Sequence, residues 1–168
     1  MKKHFSKLLF FAITVFCLSS ACFAADMVFF GFDDNKVPSN PQPNIGCTVN
    51  DGILSFKDIT TTDPFLTYSC NINADDYLSI KVRIKHELTE RADKKTPICQ
   101  MYYTGTDANG TAITLAESNS VKTDLVGLSS GGKYVVYTIN LDKSNLKGAT
   151  IKSMRFDVVN CTGSFDVD

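Results

Sequence analysis

Four side-chain types could do chemistry in this 168-residue chain: two histidines, six cysteines, 18 carboxylates and 12 phenylalanines plus six tyrosines, with no tryptophan. A Ser-His-Asp or Cys-His nucleophile needs a histidine. His86 is the only candidate outside the first 24 residues, and it shares the parity of Ile84 and Leu88 on an expected strand. That parity makes it a packed strand residue rather than a base. No G-x-S-x-G, P-loop or dinucleotide fingerprint occurs. Adjacent acids such as Asp75 and Asp76, or Glu87 and Glu90, could supply a glycosidase pair, but in sequence they read as solvated turn residues. The inventory points to a protein that is not an enzyme.

The first 24 residues are of a different kind. Lys2, Lys3 and Lys7 precede an apolar run from Leu8 to Phe16, and the stretch Ser19 to Ala25 closes it, with the small Cys22 and Ala24 at the positions a cleavage after Ala24 requires. This is the three-part pattern of an export signal, too short in its apolar part for a membrane span. The expected division is a signal peptide over 1–24 and a single domain over 25–168, secreted or periplasmic. Leu18-Ser19-Ser20-Ala21-Cys22 also resembles a lipobox, which offers lipid anchoring through Cys22 as the alternative. Removing three lysines and no acids leaves 14 basic against 18 acidic residues, a charge of −4, with no basic field to attract nucleic acid.

Cys47, Cys70, Cys99 and Cys161 remain, and an even count in an exported chain predicts two disulfides. Three pairings are open. Cys47 with Cys70 and Cys99 with Cys161 is the favoured one, each worth about 3 to 4 kcal/mol on the chain-entropy model. A zinc site lacks any C-x-x-C pair.

The elements that must position these groups read as strands. Leu78, Ile80, Val82 and Ile84 alternate with Ser79, Lys81, Arg83 and Lys85, the period of two that a half-buried strand requires. Asp51-Gly52 and Asn109-Gly110 are turn signals. Pro38, Pro41 and Pro43 mark 33–46 as a loop after a first strand at Met27–Phe32. One-turn helices are expected at Asn71–Asp76 and Asp142–Leu146. About ten short strands without a sustained helical period predict an all-β, two-sheet antiparallel sandwich.

Strand parity also sorts the exposed residues. Lys81, Arg83 and Lys85 form a basic stripe. Gln100 and Tyr102 point outward if Cys99, Met101 and Tyr103 point inward; Arg155 and Asp157 point outward if Met154, Phe156 and Val158 point inward. Sharing a sheet, these would make a polar face with an aromatic platform, the arrangement that binds sugars through stacking and bridged hydroxyls. Such charges also serve simply to keep a sheet soluble and unpaired at its edge.

Over nearly the whole of 25–168 the chain resembles the galactose-binding-like β-sandwich modules of secreted bacterial polysaccharide-degrading proteins. The resemblance is carried in order by Phe32-Asp33, Asn50 to Leu54, Asp63-Pro64-Phe65-Leu66, Asp75 to Lys85, Tyr134 to Leu141 with Lys147-Gly148, Met154 to Asp157, and Gly163 to Asp168. It implies a jelly roll, a carbohydrate or glycan ligand, and a structural Ca²⁺ near the first and last strands, for which Asp33, Asp34 and Asp168 are the candidates by position. The module's usual tryptophan platform is missing, and Tyr102 is expected in its place. The alternative function is a structural or protein-interaction sandwich of the cell envelope, without a glycan ligand.

Overall fold

The computed structural model of the chain describes Phe32, residues 46–141 and residues 143–168, the side chains of Lys143 and Ser144 excepted. The expected signal peptide, the first strand up to Phe32, the proline-rich loop and the candidate calcium ligands Asp33 and Asp34 lie outside the described residues.

Ten strands form two antiparallel sheets: β1 (Cys47–Asn50), β2 (Ile53–Ile59), β3 (Phe65–Asn73), β4 (Ser79–Leu88), β5 (Ile98–Thr106), β6 (Ala112–Ile113), β7 (Ser120–Asp124), β8 (Val135–Asn140), β9 (Thr150–Asp157) and β10 (Gly163–Val167). The first sheet runs β1-β2-β10-β4-β8; the second runs β3-β9-β5-β6, with β7 also paired to β5. Asp51 and Gly52, at φ 51° and 76°, turn β1 into β2 as the Asp-Gly pair predicts. Elsewhere the chain mostly alternates between the sheets, so most ladders join strands distant in sequence. The two expected one-turn helices are present at Ala74–Asp76 and Lys143–Leu146.

Inward residues from both sheets form one apolar cluster, including Leu54, Phe56, Leu66, Ile84, Met101, Tyr103, Ile139, Met154, Phe156 and Phe165. Phe56 and Phe165, paired across β2 and β10, stack with ring centroids 4.5 Å apart. One bulge makes this packing possible. Ile151 and Met154 both face the core although they differ in parity, because the register with β3 and with β5 shifts between Ile151 and Ser153. Gly105 sits at that shift, where a Cβ would lie 1.9 Å from the carbonyl oxygen of Thr150.

The four cysteines are free thiols, which corrects the expected disulfides. Cys47 lies on an edge strand of one sheet and Cys70 on an edge strand of the other. The Cys70 thiol is directed at the Ile151 carbonyl, 3.6 Å away, and the Cys161 thiol at Asn160 Oδ1, 3.6 Å away. Cys99 is on the inner face of β5, where burial pushes its thiol far above the usual range. An even count says nothing about where in the two sheets and their loops each cysteine falls.

Candidate functional site

The parity reading of β5 and β9 holds: Cys99, Met101 and Tyr103, like Met154, Phe156 and Val158, are buried in the core. Gln100, Tyr102, Arg155 and Asp157 therefore stand on the outer face of the second sheet, where Gln100 and Asp157 are nonetheless buried by their neighbours on that face. The ladder sets them in rows. Phe65, Asp157, Gln100 and Lys122 are successive partners across β3, β9, β5 and β7. Thr67, Arg155, Tyr102 and Ser120 form the next row.

Arg155 is the centre of this face. Its guanidinium carbon lies 4.0 Å from the centroid of the Phe65 ring and 5.5 Å from that of Tyr102. Its Nε donates to Asp157 Oδ1 at 2.7 Å, and its Nη2 donates to Asp157 Oδ2 at 3.1 Å and to Asp63 Oδ1. The two carboxylates differ in setting. Asp63, in the loop before β3, has 52% of its side chain exposed; Asp157 has 10%.

Burial lifts the Asp157 carboxyl to about 6, and the second carboxylate on the same guanidinium pushes the same way against the pull of Arg155.

A second knot of bonds lies beside it. Tyr102 Oη donates to Glu117 Oε2 at 2.7 Å, and Gln100 Nε2 donates to Glu117 Oε1 at 3.0 Å and to Ser120 Oγ at 2.8 Å. Lys122 Nζ is 3.6 Å from Glu117 Oε1. These donors hold the Glu117 carboxyl below its ordinary range. Burial, with the acceptor Glu117 second, pushes the Tyr102 phenol up to about 12, so it stays a donor. The short turn Glu117–Asn119 positions Glu117 over β5.

Sequence reasoning missed Glu117, Asp63 as a partner of Arg155, and Phe65 as an aromatic wall. Phe65 was open to the same parity argument as Tyr102, because Leu66 beside it is buried. Nothing local to Glu117 shows that its turn folds over β5.

The basic stripe stands elsewhere. Lys81, Arg83 and Lys85 are on β4, in the other sheet, and both outer faces point away from the shared core. Arg83 pairs with Asp168 and Lys85 with Asp166, and both cations lie over the Tyr134 ring, at 4.5 Å and 5.1 Å. Two of the three cations of the stripe are thus paired with acids, and the stripe shares no face with Tyr102. Asp168, a candidate calcium ligand, has its carboxylate engaged by Arg83, and no group of three metal-ligating side chains occurs among the described residues.

His86 is buried in the core. Its Nδ1 is 3.2 Å from the Leu128 carbonyl and its Nε2 is 2.8 Å from Tyr137 Oη, so the ring donates to the carbonyl and accepts from the phenol. Burial holds it below its ordinary range. Among the suspected acids, Asp75 accepts from the Gly148 amide at 3.0 Å and Glu87 from Ser129 Oγ at 2.6 Å. No helix among the described residues is long and apolar enough to cross a membrane. No protein-family model matches this chain, and no curated protein matches it by sequence.

Proposed function

We propose that this protein is an exported, non-catalytic module that binds carbohydrate on the outer face of its second sheet. The observation that carries the reading is the Arg155 guanidinium, which lies against both the Phe65 ring of the neighbouring row and the Tyr102 ring of its own, with Gln100, Glu117 and Asp157 around it. Aromatic rings supply apolar patches for the C–H faces of a sugar, while amide, carboxylate and guanidinium groups bridge its hydroxyls. The groups are held by strands and by one another, so little ordering cost remains for binding. The alternation of the chain between two sheets supports a jelly roll of the galactose-binding-like kind. Affinity gel electrophoresis on a panel of soluble polysaccharides tests the reading: at least one should retard the protein, and Tyr102→Ala should lose that retardation. A panel without any retardation removes the reading.

A protein-interaction role is the second reading. It is supported by Leu78, Val126 and Val136, which are 67%, 56% and 57% exposed. Under it, Val136→Lys abolishes partner capture and Tyr102→Ala does not.

A further inference from the structure

The carbohydrate reading leaves open what kind of glycan the face accepts, and the charges on it bear on that. The outer face of the second sheet carries two cations near the aromatic row, Arg155 and Lys122, and three carboxylates, Asp63, Asp157 and Glu117. Each cation is already paired. Lys122 lies against Glu117, and Arg155 spends Nε and Nη2 on two aspartates. A uronate reaching this face meets no uncompensated positive charge and a surplus of negative charge. A neutral sugar has no such difficulty: Arg155 Nη1 has no hydrogen-bond partner among the described residues, which leaves it as a donor for a hydroxyl oxygen.

Resting on the proposed carbohydrate-binding role, we infer that Asp63 sets the charge specificity of this face, making it accept uncharged glycans and refuse polyuronates. Asp157 neutralises Arg155 from the adjacent row of β9 and is buried. Asp63 neutralises it from the solvent side, on a loop, with its own side chain half exposed. Where a uronate carboxylate would approach Arg155, a protein carboxylate already stands. This is discrimination by an occupied position rather than by the absence of a cation. It places the specificity on a half-exposed loop residue outside the apolar core.

The test is affinity gel electrophoresis of Asp63→Asn, Asp63→Ser and Asp63→Asn/Arg155→Gln against the wild type. The gels hold either a neutral polysaccharide or polygalacturonate at low ionic strength. Removing the competing carboxylate should raise affinity for polygalacturonate by about tenfold or more, the scale of a charge-assisted hydrogen bond. Both single variants should show the gain, the double variant should lose it, and it should fade at high salt. Equal mobility of wild type and both single variants in polygalacturonate overturns the inference, as does a gain that survives Arg155→Gln. If wild type is retained by polygalacturonate more strongly than by any neutral polymer, the specificity inference fails while carbohydrate binding stands. If no polymer retains it, the carbohydrate reading itself fails.

Discussion

Replacing Asp157 by asparagine should stabilise the protein at neutral pH, although it removes one partner of an arginine. A carboxyl lifted from its ordinary 3.8 to about 6 favours its neutral form by about 3 kcal/mol more in the fold than in the unfolded chain, at about 1.4 kcal/mol per pH unit. With 10% of the side chain exposed, solvent screens little of this. The sign follows from proton counts. Between about pH 4 and 6 the folded protein holds a proton that the unfolded chain has released, so this group lowers stability as pH rises through that window. Asparagine has no such titration. Its Oδ1 can still accept from Arg155 Nε, but its amide meets Nη2 donor to donor, a loss of about 1 kcal/mol. Arg155 keeps Asp63, so its charge is not stranded. The net expectation is a gain of about 1 to 2 kcal/mol at pH 7, or roughly 2 to 8 °C in Tm for a chain of this size. At pH 4 the gain should vanish or reverse. Urea unfolding of both proteins from pH 4 to 8 measures it. A variant less stable than wild type at pH 7, or a difference that does not change with pH, would refute the reasoning: burial would then not outweigh the ion pair.

Gly105→Ala should cost about 3 kcal/mol or more, because its Cβ meets the Thr150 carbonyl at the bulge; a midpoint within 2 °C of wild type contradicts this. Tyr137→Phe removes the phenol that donates to His86 and accepts from the Val126 amide, and should cost about 1 to 3 kcal/mol by chemical unfolding. His86 should also make the fold sensitive to acid. Its folded value is depressed below 6.5, so the stability it contributes at neutral pH is lost as pH falls below 6.5, the opposite slope to Asp157. The sign is read from the near-neutral end of the same urea series run on Asp157→Asn, above the range in which the Glu117 carboxyl takes up its proton. Without reductant, all four cysteines at 47, 70, 99 and 161 should titrate with a thiol reagent after denaturation, and Cys99 and Cys161 should be silent in the native protein. Fewer than four reactive thiols in denaturant would restore a disulfide.

Strand identity and facing were legible because they depend on local alternation. The inward set of β5, and that of β9 from Met154 onward, follows from parity, and so does the outward placement of Gln100, Tyr102, Arg155 and Asp157; Ile151 turns inward only through the bulge, which parity does not reveal. What parity cannot convey is which strands share a sheet. β4 was readable as a strand with a basic face, yet its assignment to the other sheet depends on ladders with β10 and β8 across long stretches of chain. For the same reason the neutralisation of Arg83 and Lys85 by Asp168 and Asp166 was invisible. Disulfides were expected from a count of cysteines, a property of composition that carries no geometry. Glu117 was passed over because a single exposed turn residue has no periodic signature; only the fold of its turn over β5 brings it to Tyr102.

The most direct test of the central claim is a nitrogen–proton NMR titration of the protein with a soluble neutral polysaccharide that retards it. The account predicts shifts concentrated at Phe65, Gln100, Tyr102, Glu117 and Arg155, with residues 81–85 of β4 unmoved. Shifts confined to β4 and β8, or none at any ligand concentration, would contradict it.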